Sequence, residues 1–429
     1  MIRSPMPTIM WFTVGFALVA AIYTGLMFKF WAIGFVLLLT GSSYAAFGGY
    51  TIASLRSVNK VDKRPTTSVL FNVIVAVIAL LGLWAMFYDR TTNRGIDYVN
   101  LGIAAARAEF TRVGERGGLL SIAGNIFSAA VYLPMMNLIF DWETWGRERY
   151  LVAALVIAGM LGLTYITGGR TALLIAVTLV AGAVLGRGAM GLPRLPSFLT
   201  KIRLVVGSIL VASLFGGIFA LRASAFGAAS AGDYLSQLCI HLAQPAIEIM
   251  AQCYSIPYST GLASVDEVAN FGTAVLLYAF HVAWVGNVII VDVNPGVSTV
   301  FAGFQDMFLS RFGYQLAATD YDGYFIPAAA SIVYDFGYVA MVIGFALLGA
   351  LLGLFRRSML AGDMFLGRIP FCYAAASLLI CVLISPTNLP VLLLSIMAMT
   401  AIAGLTLFAR VLGLELVYPR MKPKNRRSR

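Results

Sequence analysis

The chain has 429 residues, 60% of them hydrophobic and only 11% charged, with a mean hydropathy of +0.87 and a formal net charge of +11. A soluble domain of this length cannot hide so much apolar surface, because surface grows too quickly relative to volume. The composition excludes a soluble globular protein and predicts an all-α polytopic membrane protein.

A spanning helix needs about 20 mostly apolar residues. Ten stretches qualify: 9–28, 30–53, 68–88, 118–140, 150–166, 171–185, 204–221, 337–354, 369–385 and 391–408. No cleavable signal peptide is read, since the first run is long enough to span and lacks a small-residue cleavage site. Lysines and arginines set the orientation. With the N-terminus inside, 21 of the 30 fall on the cytoplasmic side. The other nine are Lys29, Arg90, Arg94, Arg107, Arg112, Arg116, Arg170, Arg222 and Arg311. Both termini are therefore expected in the cytoplasm. The expected division is a seven-span bundle over 1–221, a long outer and partly membrane-embedded segment over 222–336, three spans over 337–410, and a basic cytoplasmic tail over 411–429. That tail suits anionic lipid head groups rather than nucleic acid.

No phosphate loop of the G-x-x-x-x-G-K-[ST] kind occurs, and Asp141 and Glu143 read as an ordinary cytoplasmic loop. The ten spans as drawn hold no Asp, Glu, Lys, Arg or His, which argues against ion-coupled transport through the bundle. No metal site or cofactor is expected. The four cysteines read as small packing residues. Cys372 and Cys381 would stand roughly 14 Å apart on one helix, and Cys239 and Cys253 roughly 21 Å apart on another, beyond the reach of a disulfide.

Eight of the nine outer cations are arginine, whose planar fork matches phosphate oxygens. Arg90 and Arg94, one turn apart if helical, could help grip a phosphate. Arg170 stands in the tight turn Thr167-Gly168-Gly169-Arg170-Thr171, where the glycines permit a sharp bend and a helix N-terminus favours an anion. It reads either as a phosphate ligand or as a snorkelling cap on the hairpin.

Farther along, Gln237, His241, Gln244, Glu248 and Gln252 share one helical face, with Pro245 expected to kink the helix. The stripe lines either a membrane-embedded polar cavity or the wet side of a surface helix. The stretch 271–291 is apolar enough to enter the bilayer and carries His281, which reads as a base or as a hydrogen-bonded structural residue. With the preceding helix it would add two crossings. Phe301, Phe304, Phe308 and Phe312 recur at helical spacing beside Arg311. Tyr314, Asp320, Tyr321, Asp322 and Tyr324 then form a polar–aromatic cluster of the kind a sugar site uses, or a loop with interfacial tyrosines. Tyr334-Asp335-Phe336-Gly337 stands at the mouth of the next span, where Asp335 is placed to cap the helix N-terminus.

The many spans, the Gly168-Gly169-Arg170 turn, the long late outer loop and the Tyr334-Asp335-Phe336-Gly337 element resemble the Wzy-type polymerases of bacterial O-antigen, capsule and exopolysaccharide, with the xanthan type as the nearest subfamily. The resemblance covers most of the chain in layout and two short motifs in residues. Where members often carry an Asn-Tyr-Thr-like element, this chain has Gly323-Tyr324-Phe325. The resemblance implies a fold similar to GT-C membrane glycosyltransferases in the bacterial inner membrane. It implies undecaprenyl-pyrophosphate-linked oligosaccharides as substrates, often without a metal, and a flippase and chain-length co-polymerase as partners. In that setting His281 and Asp322 are the candidate bases. Arg170, Arg222, Arg311, Arg90 and Arg94 are candidates for the pyrophosphate; His241, Glu248, Asp320, Tyr321, Tyr324 and Asp335 are candidates for the glycan. A ligase that passes the glycan to lipid A-core, or a flippase for the lipid-linked unit, are the alternatives.

Overall fold

The structure, a computed structural model, describes residues 4–55, 66–98, 106, 119–167, 171–200, 203, 207, 230–257, 259–291, 299–303, 305 and 325–411. Among the described residues there is no strand, and nine helices are long and apolar enough to cross a membrane. In an apolar medium every main-chain N–H and C=O must be satisfied within the protein, and continuous helices do this for themselves.

The first helix, α1 (Met6–Phe28), ends where Lys29 takes a left-handed conformation (φ 53°) and returns its N–H to the Thr24 carbonyl. This turns the chain into α2 (Ile33–Ser54). α3 (Val69–Tyr88) runs on into one π-helical turn, Asp89–Asn93. α4 (Leu119–Ala129) and α5 (Tyr132–Asp141) together make one crossing, followed by α6 (Arg149–Thr167) and α7 (Thr171–Ala189). Then come α8 (Ala231–Ala243), the single turn α9 (Ile247–Met250), α10 (Ala263–Phe280), α11 (Val282–Ile289), the long α12 (Ala328–Leu360), α13 (Ile369–Ile380) and α14 (Pro390–Val411).

Small residues set the closest approaches, as expected where lipid competes on equal terms with apolar side chains. α2 and α12 meet through Gly49 against the Ala346 carbonyl and Gly349 against the Ala46 carbonyl. α3 and α4 meet through Gly82 and Gly124, and α7 lies on α13 where Gly182 faces the Cys372 carbonyl.

Eight of the expected spans are seen as long helices. The expected span 204–221 lies outside the described residues, apart from Gly207. Five expectations need correction. The expected span 369–385 is a shorter apolar helix, Met364–Ile380, while the stretch 271–291 lies in a helix, Ser264–Ile289, long enough for the extra crossing that the sequence left open. The expected single helix from Asp233 to Cys253 is instead α8, a turn at Gln244–Pro245 and α9, because proline cannot continue the hydrogen-bond ladder. At 13 residues, α8 is about 20 Å long and too short to cross alone. The chain folds back after that turn, so Cys239 and Cys253 have Cα atoms 5.4 Å apart and form a disulfide, whereas Cys372 and Cys381 are buried and free. The span expected to start at Gly337 does follow a break there (φ 81°), but a further helical segment, residues 328–336, precedes it in the same element. Finally, the helices outrun the apolar stretches, so His281, Asp335 and Arg187 lie within the long helices and are buried.

The α2–α12 contact gives a direct test. A Cβ at Gly49 would collide with the Ala346 main chain, whereas one at Gly41 on the same helix would meet nothing within 4 Å. Gly49→Leu is expected to lower thermal stability in detergent, by roughly 1–3 kcal/mol for an overpacked contact, and Gly41→Leu to leave it unchanged.

Candidate functional site

His281 sits at the junction of α10 and α11 with 1% of its surface exposed. Its Nδ1 lies 2.7 Å from the Tyr278 carbonyl, which sets this nitrogen as the N–H donor. Nε2 is left with its lone pair and accepts a long 3.4 Å hydrogen bond from the Phe325 N–H. The rings of Tyr278, Trp284 and Phe325 surround the imidazole, with centroids 5.7, 6.1 and 5.8 Å away. Trp284 is held in turn by its Nε1–H, which donates to the Leu242 carbonyl at the end of α8. The arrangement fixes one tautomer and turns Nε2 toward Phe325, where the chain enters α12.

Asp335 does not cap the start of its own helix, as the sequence suggested. The helix begins seven residues earlier, about 10 Å away along its axis, and the carboxylate reaches sideways instead. It accepts hydrogen bonds from the Thr299 N–H (2.9 Å), the Thr299 hydroxyl (2.9 Å) and the Val300 N–H (2.8 Å). On the far side of the same short stretch, Asn388 accepts from the Gly303 N–H and donates to the Thr299 carbonyl, and the Thr387 hydroxyl donates to the Val300 carbonyl. A side chain at Gly303 would strike the Asn388 main chain at 2.8 Å. Residues 299–303 are thus clasped between α12 and the 3₁₀ turn Pro386–Asn388.

Arg90 and Arg94 are committed to the protein. Arg90 is buried and donates to Tyr98 Oη at 3.0 Å and to the Ile166 carbonyl. Arg94 Nε pairs with Asp89 at 3.0 Å. Arg90 therefore ties the end of α3 to the end of α6, two residues before Gly168-Gly169-Arg170. His241 and Glu248 are exposed on α8 and α9, as are Gln237 and Gln244, so the polar stripe faces outward rather than into a cavity. Arg170, Arg222, Arg311, Asp320, Tyr321, Asp322 and Tyr324 lie outside the described residues. The described candidates thus form two groups. His281 and Asp335 share α12 and its entry, whereas Arg90 and Arg94 belong to α3 and α6.

At the opposite ends of the helices, Asp141 and Glu143 are far from an ordinary loop. Asp141 accepts from the Thr67 N–H and hydroxyl at 3.0 and 2.8 Å and pairs with Arg368 at 3.1 Å, both charged side chains being almost wholly buried. Arg187, 1% exposed, pairs with Glu143 and also donates to the Ile139 and Phe140 carbonyls at the end of α5. Beside these pairs is a cavity of ≈ 170 Å³ walled by Phe140, Met190 and Leu192, large enough for a few waters. Burial raises the Glu143 carboxyl, but hydrogen bonds from Arg187 and Ser197 and the guanidinium charge outweigh it and hold it below its ordinary 4.5.

Sequence reasoning passed over Thr299, Asn388, Tyr98, Trp284 and the cysteine pair. One signal was present: Pro386-Thr387-Asn388-Leu389-Pro390 places polar residues between two prolines in an apolar run, which marks a loop with side chains free to bind main chain.

Two outcomes are expected. Asp335→Asn keeps the shape but turns an N–H₂ group toward one of the three donors. It should lower thermal stability by about 1–3 kcal/mol, the usual result of leaving a buried donor unmet. Glu143, with its folded value lowered, contributes stability that is present above its unfolded value and lost as pH falls through the folded one. The melting difference between wild type and Glu143→Gln should therefore be constant at neutral pH and shrink below about pH 4.5. No family model, curated protein or solved structure matches this chain.

Proposed function

We propose that the chain is a Wzy-type polymerase, a membrane glycosyltransferase that joins polyprenyl-pyrophosphate-linked oligosaccharide units at the extracytoplasmic face of a bacterial inner membrane. The observation that carries this reading is at Asp335-Phe336-Gly337, the element that suggested the family. Asp335 organises the main chain of residues 299–303, and Gly337 breaks α12 immediately after it. The motif thus has a definite task in holding residues 299–303, which precede Arg311 and the acidic–aromatic cluster in sequence. His281 supports the reading too, since its Nε2 lone pair lies where the chain leaves that cluster.

In this reaction an acceptor sugar hydroxyl attacks the anomeric carbon of the donor. The new C–O bond forms as the bond to the lipid pyrophosphate breaks, and the pyrophosphate leaves with the electron pair. The hydroxyl proton passes to a base, His281 Nε2 or the Asp322 carboxylate, whose role requires hydrogen-bond reach and a suitable affinity for the proton. Arg170, Arg222 and Arg311 neutralise the leaving pyrophosphate. Arg90 acts differently: it anchors the end of α6 through the Ile166 carbonyl. His241, Glu248, Asp320, Tyr321 and Tyr324 offer hydroxyl partners and ring faces to the glycan.

The test is polymer length from lipid-linked repeat units incubated with purified protein. His281→Ala or Asp322→Asn, whichever removes the base, is expected to cost on the order of 10²–10⁴-fold in rate; wild-type rates from both would remove both residues from that role. Arg170→Lys should be impaired despite its charge, because the paired hydrogen bonds are lost. Transfer of one glycan to lipid A-core without chain growth would identify a ligase, and transbilayer movement without bond formation a flippase. Loss of activity with chelator, restored by a divalent ion, would make Asp320 and Asp322 metal ligands.

A further inference from the structure

The proposed reaction makes no use of Cys239 and Cys253, yet these two residues lie at the centre of the structure around His281. Both are fully buried, 14 residues apart in sequence, with Cα atoms 5.4 Å apart, within the usual range of about 4.4–6.8 Å. Each stands beside a main-chain anchor. Gln252, next to Cys253, donates to the Phe28 carbonyl at 2.8 Å, where α1 ends. Leu242, three residues beyond Cys239, accepts from Trp284 on α11. The ring of Trp284 packs edge-on against Phe28, 5.5 Å between centroids, and closes the circuit. The turn that carries both cysteines therefore joins α1, α8 and α11 around one point.

We infer that the Cys239–Cys253 disulfide is a structural staple formed on the extracytoplasmic side, and that this side of the membrane is thereby assigned to the turn between the two cysteines. The two thiols lose two electrons and two protons to a disulfide-bearing oxidant, which leaves as a dithiol, and one S–S bond forms. Such bonds persist in oxidising compartments and not in the reducing cytoplasm. The placement agrees with the distribution of lysine and arginine, an observation of a different kind. It does not depend on the reaction proposed above, so failure of either leaves the other standing. Burial of both sulfurs makes the bond a permanent staple rather than a switch.

The experiment counts thiols in the full chain after acid quenching of cells and denaturation, using a maleimide that adds visible mass. Two adducts are expected without reductant, from Cys372 and Cys381, and four after reduction. Four without reductant would overturn the inference. Cys239→Ser and Cys253→Ser should each give three without reductant, and one from either would show a different pairing and overturn it. The single variants and the double variant should melt at one common, lowered temperature, because each breaks the same bond; additive losses would overturn the staple role. For the side of the membrane, Ser259→Cys, exposed between Cys253 and the long helix Ser264–Ile289, should react with an impermeant maleimide on intact spheroplasts, and Arg147→Cys only after the membrane is opened. The reverse pattern would overturn the assignment.

Discussion

A helix that stops inside or at the edge of a membrane frees main-chain N–H and C=O groups that lipid cannot satisfy, and each such group left alone costs several kcal/mol. In this protein the breaks are met by buried side chains rather than by water alone. Arg187 takes the last carbonyls of α5, Arg90 takes the Ile166 carbonyl at the end of α6, and Gln252 takes that of Phe28. Trp284 donates to Leu242, and Asn287 accepts from the Phe35 N–H at the start of α2. Asp335 and Asn388 do the same for residues 299–303, which are non-helical up to Phe301. The polar residues of this apolar chain are thus concentrated where helices end, and the site candidates are drawn from that set.

The two ends of the bundle solve the problem with different chemistry. The end read as cytoplasmic uses opposite charges, Asp141 with Arg368 and Glu143 with Arg187, which bring the starts of α3 and α13 and the ends of α5 and α7 together. Removing Asp141 or Arg368, both of them buried, leaves an unpaired charge and costs more than the pair itself contributes, so this end resists rearrangement. The other end uses one carboxylate on main-chain donors, aromatic rings and a disulfide. There the helices are broken or bent, at Gln244–Pro245, at His281 and at Gly337. Glycan chemistry proposed at that end would find non-helical main chain and unshared acceptor positions, which a straight bundle does not offer.

Membrane class and the position and order of most spans were legible because each depends on local composition summed over about 20 residues. That Gln237, His241 and Gln244 share one helical face was legible from periodicity alone, but that this face points outward was decided by the fold. The tertiary structure decided what depended on contacts between distant segments. No spacing rule shows that Asp335 meets Thr299 and Val300, that Asp141 meets Arg368, or that a turn at Pro245 brings Cys239 to Cys253. Composition established that the chain must lie in a membrane. Only the folded chain determined which of its few polar groups meet, because a buried hydrogen bond between segments far apart in sequence depends on how the intervening helices pack.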